Sequence, residues 1–260
     1  MNTINLTTPI ANIYAALGQY EAIDLVDLDQ VQLLNRIDTK FVMHLDQLAD
    51  LFREVKDDYY ALEIDNKRAF NYESLYFDTD DFQLYKQHHN GKLNRIKARY
   101  RRYSDSGLCF FEVKYKVKGG LRTDKKRLKL PTIEEKLSQK ELDLVFHPQL
   151  NNADLKAKLW VYFTRITLAS RSFNERLTID ININFDNKRA QIGYPELVIV
   201  EVKTEKSCYN SPIVKALKAR HLEQVGFSKY SSGIALLENV KSNLFKPNFI
   251  KINKLLHAIY

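Results

Sequence analysis

Three consecutive stretches of the chain place cations at every second position. Arg95, Lys97, Arg99 and Arg101 alternate with Ile96, Ala98 and Tyr100. Glu112, Lys114, Lys116 and Lys118 alternate with Phe111, Val113, Tyr115 and Val117, and Thr123, Lys125, Arg127 and Lys129 form a third row. A period of two is that of a strand whose alternate residues face opposite sides of a sheet. An ordinary solvated face mixes charge signs, because like charges directly opposite one another are destabilising. Adjacent strands carrying Arg and Lys side by side therefore call for an anion, and phosphate oxygens are the partners these side chains suit. The pattern recurs in Arg36, Asp38 and Lys40, in Arg176, Thr178, Asp180 and Asn182, and in Glu201, Lys203 and Glu205.

Two acids interrupt the basic faces. Glu201 and Glu112 each precede a Lys by two positions. Either could hold a divalent metal that bridges a phosphate to the protein, Glu201 being the stronger candidate. The alternative is that both pair with neighbouring Arg and Lys. No Ser-His-Asp or Cys-His arrangement is evident. Of the six scattered histidines, His88-His89 reads as a solvated helix end. Tyr100, Tyr103 and Tyr115 invite a reading as stacking platforms for nucleic acid. Tyr100 and Tyr115 fall on the face opposite the charges, which favours wall packing instead.

The elements that must carry these rows follow from periodicity and breakers. Helices are expected near residues 10–25, 46–55, 78–89, 131–157, 212–223 and 230–240. Strands are expected over 33–43, 59–64, 70–77, 93–103, 109–118, 121–130, 160–168, 176–185, 189–192 and 197–205. Ser104-Asp105-Ser106-Gly107 and Gly119-Gly120 supply turns between the basic strands. This predicts an α+β fold: a closed antiparallel eight-stranded β-barrel, a tunnel, with flanking helices. Such a barrel has room for one slim ligand, and a linear phosphate chain is slim. Domains are expected at 1–30 (an N-terminal helical segment), 31–240 (the tunnel) and 241–260 (a C-terminal tail).

With 260 residues, 45% hydrophobic, the chain can bury a sizeable core. A formal charge of +8 points to an anionic partner without choosing one. The two cysteines, Cys109 and Cys208, lack metal-ligand spacing and read as reduced thiols. No signal peptide and no apolar run long enough for a membrane helix is seen, so a cytoplasmic protein without a membrane segment of its own is expected.

Taken together, seven segments resemble the polyphosphate polymerase domain of vacuolar transporter chaperone (VTC) complexes, a member of the triphosphate tunnel metalloenzyme (CYTH-like) superfamily. They are Arg36-Ile-Asp-Thr-Lys40-Phe, Lys97-Ala-Arg99-Tyr-Arg101-Arg-Tyr103, Phe111-Glu-Val-Lys114, Thr123-Asp-Lys125-Lys-Arg127-Leu, Arg176-Leu-Thr-Ile-Asp180, Val200-Glu201-Val-Lys203 and Phe227-Ser-Lys229-Tyr. The resemblance runs from about Leu33 to Leu236. It implies a tunnel that transfers the terminal phosphate of ATP to a growing inorganic polyphosphate and releases ADP. Lys40, Arg99, Arg101, Lys114, Lys125 and Arg127 would grip phosphates, Arg165 and Arg176 would extend the cradle, and Lys203 would lie beside a Mn2+ or Mg2+ ion held by Glu201. Arg36, Lys97 and Lys116 would bind substrate along the rows, and Ser228 and Lys229 at a tunnel mouth near a helix start.

The resemblance is incomplete. VTC complexes carry membrane helices and a phosphate-sensing domain that this chain lacks, so any membrane link would come from a partner. Hydrolase members of the superfamily carry alternating glutamates before a lysine, where this chain has Arg36-Ile37-Asp38-Thr39-Lys40 with one acid. A metal-dependent inorganic or nucleoside triphosphatase and a non-catalytic polyphosphate-binding module are the competing readings. Nucleic acid is excluded by the width of the tunnel.

Overall fold

The computed structural model describes residues 8–29, 37–117, 122–145, 154–204 and 210–257. In chain order the elements are α1 (Thr8–Leu17), β1 (Glu21–Ile23), α2 (Leu25–Leu28), β2 (Ile37–His44), α3 (Leu48–Val55), β3 (Tyr59–Leu62) and β4 (Ala69–Asp78). There follow α4 (Gln83–His89), β5 (Arg95–Tyr103), β6 (Cys109–Val117), β7 (Arg122–Leu130), α5 (Gln139–Val145), β8 (Lys156–Ser170) and β9 (Glu175–Asp186). The chain continues with β10 (Gln191–Tyr194), β11 (Leu197–Thr204), α6 (Pro212–Ala219), α7 (Lys229–Leu237) and α8 (Lys246–His257).

Eight strands form one path, β2-β11-β9-β8-β4-β5-β6-β7, with every neighbour antiparallel. The fold is α+β around this large antiparallel sheet. β10 extends β9, β3 pairs with β8, and β1 pairs in parallel with β3. Among the described residues no ladder joins β7 to β2, so the expected barrel closure is not present as backbone pairing. The sheet is nevertheless strongly curled: Lys40 of β2 and Lys97 and Lys114 of β5 and β6 line one cavity.

Strand parity decides what each face does. The convex face is apolar. Phe41, Met43, Leu168, Ile179, Val198, Val200 and Val202 are buried there against α1, α3 and α6. Leu75, Phe77, Ile96, Tyr100, Phe111, Val113 and Tyr115 form a second outer cluster, with Val145 of α5. Tyr100 and Tyr115 are thus wall packing, as their parity implied. The concave face is divided. At one end Val42, Val161, Phe163 and Ile199 meet Tyr230 and Ile234 of α7 in an apolar plug. The rest is ionic.

Helix α7 sits unusually close to the sheet. A Cβ on Gly233 would fall 2.6 Å from a Leu159 methyl and 2.7 Å from the Phe185 ring, so only glycine allows the approach. Asp78 fixes α4 and α7 together: its carboxylate accepts from the backbone N–H of Thr79, Leu84 and Tyr85 and from the Tyr230 hydroxyl. Thr79 Oγ1 accepts from Gln83 N at 2.9 Å, at the start of α4.

Several expectations shift. The first helix ends at Leu17, where Gly18 follows, and not near Leu25. Among the described residues of 131–157, helix covers only Gln139–Val145, and β8 already begins at Lys156. Residues past 240 contain a helix, α8, whose Ile252 is buried beside Val42 and Val225. His88-His89 is not a solvated end: His89 is 3% exposed, and its ring lies edge-to-face with Phe245. Aromatic surface from the segment before α8 covers that turn, which α4 alone could not reveal. Cys109 is a buried free thiol. The Gly119-Gly120 turn, Lys118 and Cys208 lie outside the described residues.

Candidate functional site: a cationic cavity

The ionic part of the concave face surrounds a cavity of about 180 Å³. Strand by strand, the lining comprises Lys40 from β2, Tyr76 from β4, Lys97, Arg99 and Arg101 from β5, and Glu112 and Lys114 from β6. Arg165 from β8, Asp180 from β9 and Glu201 and Lys203 from β11 complete the walls, and Ser228 and Lys229 enter from the start of α7. Eight cations face three carboxylates, a formal surplus of five positive charges.

Ladder register places each carboxylate opposite a cation. Arg99 stands opposite Glu112, Arg165 opposite Asp180, and Lys40 opposite Glu201. Glu112 accepts from Arg99 at 2.7 and 3.0 Å and pairs with Lys125 at 2.5 Å. Asp180 takes Arg165 through both oxygens, at 2.6 and 2.8 Å, and also accepts from Lys229. Glu201 accepts from Lys203 at 2.8 Å and lies 3.5 Å from Lys40. Burial alone would raise all three carboxyls. The adjoining cations outweigh it and hold each below the usual carboxylate range.

Three lining cations have no such partner. Among the described residues no carboxylate lies within ion-pair distance of Lys97, Arg101 or Lys114. Lys97 donates to Ser228 Oγ at 2.8 Å, and Arg101 to Ser74 Oγ at 3.3 Å. Lys97 and Lys114 face each other directly across the β5–β6 ladder. Burial and neighbouring cations push both lysines well below the ordinary lysine range and Arg101 down to about 10. Aromatic rings hold the guanidiniums in place. Arg101 and Arg165 both lie over Tyr72 and Phe163, and Arg99 lies over Tyr76, whose hydroxyl accepts from it at 2.9 Å.

The other expected residues fall around this centre. Lys125, on edge strand β7, reaches in to Glu112 but is not part of the lining. Arg127 is exposed and stacks on Phe110, 3.4 Å from the ring centroid. Arg176 shares the inward face but donates to the Leu28 carbonyl, outside the cavity. Lys116 lies near Arg95 and Lys40, whose charges act on it. Arg36 lies outside the described residues. Asp180 and Tyr76 belong to the site and were not singled out. Asp180 shares a face with Arg176 and Thr178, so the alternation that found the cations contained it. Tyr76 carries no such signal in an aromatic-rich strand.

The donor set constrains a metal. Among the described residues no group of three or more His, Cys, Asp or Glu side chains converges. Both oxygens of Glu112 and of Asp180 are taken by cations. The Glu201 oxygen nearest Lys40 is the least engaged. These residues do not fit a protein-only cage. They fit an ion held by one carboxylate and by substrate phosphates, the arrangement Mg2+ commonly adopts.

No curated protein shows a significant match to the chain. Among solved structures, a Vibrio parahaemolyticus protein described provisionally as an adenylate cyclase is 13% identical, with a TM-score of 0.46, covering 78% of this chain and 99% of that one. A Hippeastrum protein, a provisional adenylyl cyclase described as having a dominant triphosphatase activity, is 12% identical at a TM-score of 0.42, covering 80% and 98%. The PH1819 protein of Pyrococcus horikoshii is 16% identical at 0.43, covering 82% and 98%. Among protein families, the VTC domain matches residues 35–238, nearly the same span as the seven segments, and the chain belongs to the VTC-domain family.

Proposed function

We propose that the protein is a polyphosphate polymerase, which holds the triphosphate of ATP in the cavity and transfers its terminal phosphate to a growing inorganic polyphosphate. The observation that carries this reading is the surplus of five positive charges in a narrow cavity, with Lys97, Arg101 and Lys114 lacking carboxylates. A linear phosphate chain supplies the missing negative charge along the same axis. Phosphoryl transfer asks a protein mainly for positioning and charge stabilisation. Arg99, Arg165 and Lys229, each fixed by a carboxylate, are already oriented for it.

Glu201, with the phosphates, would hold Mn2+ or Mg2+, which would neutralise charge on the transferring group. Lys203 and Lys40 flank that position, and Ser228 steers Lys97. In this reading residues 31–240 form the tunnel domain, and the curled sheet acts as a tunnel around the chain. An ATP donor suits a cytoplasmic reaction. Membership of the VTC-domain family supports transfer over simple binding.

Purified protein incubated with ATP and Mn2+ should yield internal-phosphate signals of polyphosphate by phosphorus NMR, with matching ADP. Inorganic phosphate without chain growth would make the protein a triphosphatase. Intact ATP with tight, salt-sensitive binding would make it a binding module.

A further inference from the structure

Tyr76, on β4, is 5% exposed and lines the cavity. A phenol carries one O–H donor and two acceptor lone pairs. One lone pair is taken, because Arg99 Nη1 donates to the Tyr76 oxygen at 2.9 Å. The O–H has no such outlet: among the described residues no acceptor receives it. The two carboxylates tied to its neighbours are engaged. Glu112 is held by Arg99 and Lys125, and Asp78 accepts from three backbone N–H groups and from Tyr230. The Tyr76 ring is also fixed. Tyr230 stacks on it with centroids 5.1 Å and planes 26° apart, and the Arg99 guanidinium carbon lies 5.6 Å from its centroid. Tyr230 is itself anchored, since its hydroxyl donates to Asp78, which holds the first turn of α4.

A donor in a cavity wall that the protein leaves without an acceptor is satisfied by a ligand oxygen, and a charged acceptor makes the stronger bond. We propose that Tyr76 is a further ligand contact in the cavity, whose Oη–H donates to an oxygen of the phosphate that Arg99 binds. The inference rests on the phosphate reading of the cavity and adds a residue that charge patterning does not reveal. Arg99 Nη1 and Tyr76 Oη, 2.9 Å apart, present a cation and a neutral donor side by side. Donation from the guanidinium into the phenol oxygen polarises the O–H and strengthens its onward hydrogen bond. The proton stays on the phenol, and no covalent bond is made or broken. Such a donor suits a cavity with a surplus of five positive charges. It adds a directional hydrogen bond to the ligand without adding to the repulsion among the lining cations.

Calorimetric titration of wild-type protein and Tyr76→Phe with tripolyphosphate, over a series of salt concentrations, tests it. The variant keeps the ring that stacks on Tyr230 and lies under Arg99, and it keeps the formal charge of the site. It should bind about tenfold more weakly at every salt concentration. The fall of affinity with added salt should keep its wild-type slope, because no charge has been removed. A role limited to holding Arg99 in place would instead release that cation from the ligand and make the slope shallower. In wild-type crystals soaked with tripolyphosphate, Tyr76 Oη should lie about 2.5–2.7 Å from a phosphate oxygen, a measurement that serves if the variant does not fold. Unchanged affinity in the folded variant, a shallower slope, or a cavity-bound phosphate beyond hydrogen-bond distance of Oη would overturn the Tyr76 contact while leaving the cavity reading intact. Failure of tripolyphosphate to bind the wild-type protein would overturn the cavity reading itself.

Discussion

On the β8–β9–β11–β2 side of the cavity, every lining cation has a carboxylate. Arg165 and Lys229 share Asp180, and Lys203 and Lys40 share Glu201. On the β5–β6 side only Arg99 is matched, by Glu112, while Lys97, Arg101 and Lys114 are not. The first wall is satisfied before any ligand arrives, and its side chains are held in one geometry. The second stores repulsion that only an anion relieves. Ligand binding free energy should therefore concentrate on β5–β6, and folding stability on β8–β9–β11. Sites commonly sacrifice stability for function in this way.

The largest break in that comparison is Asp180→Ala. It strands Arg165 and Lys229 in a buried setting and should destabilise the fold by about 3–5 kcal/mol in urea unfolding. A loss under 1 kcal/mol would mean that the clamped wall is not a structural asset.

Next in size is Arg101→Met. Removing a cation that has no carboxylate partner should weaken tripolyphosphate binding by about 1.5–3 kcal/mol, read by calorimetry at fixed salt. Should Lys40→Met on the paired wall weaken binding more than Arg101→Met does, the assignment of walls is reversed.

Lys114→Met sharpens the contrast, because it acts in opposite directions on two observables. It should lower tripolyphosphate affinity yet stabilise the empty protein by about 1 kcal/mol in the same unfolding assay, since it removes the charge facing Lys97. A variant that loses both affinity and stability would contradict the stored repulsion.

The smallest effect is a slope with pH. Burial lowers Lys229 to about 8, and it lowers Lys97 and Lys114 as well. Between there and about 10.4, the unfolded value for lysine, the unfolded chain binds more protons than the folded one. The unfolding free energy of the empty protein should therefore rise with pH across that window. Bound tripolyphosphate should flatten the rise by stabilising the charged lysines. The depressed carboxyls act at the other end: Asp180, Glu201 and Glu112 contribute stability present above about pH 4, which is lost on further acidification.

Strand alternation was enough to read the inward rows, because a two-residue period survives in any sequence whose sheet has two different faces. It puts Lys97, Arg99, Arg101, Lys114, Glu201 and Lys203 on the inward rows, and all six line the cavity. Alternation cannot tell a central strand from an edge. Arg127 and Lys125 repeat the pattern on β7, yet Arg127 is exposed there and Lys125 reaches the site only through Glu112. Nor can it say that Arg176 is drawn away by the Leu28 carbonyl, a contact with residues 148 positions earlier. The pairing of Asp180 with Arg165 depends on the register of β8 against β9, which local pattern does not set. His88 and His89 were misread for a similar reason, since Phe245 reaches them from more than 150 residues downstream. Among the described residues of the helix expected over 131–157, Ile133 and Leu137 pack against the outer cluster from outside any helix, an apolar role that the sequence pattern does not separate from a helical face.

The most direct test of the two-wall account is a crystal structure of the protein with tripolyphosphate and Mn2+. Phosphate oxygens should lie against Lys97, Arg101 and Lys114, with the anomalous manganese peak beside Glu201 and the Asp180 clamp unchanged. Phosphates bound outside the cavity, or seated on the Asp180–Arg165 side with Lys97, Arg101 and Lys114 uncontacted, would contradict it.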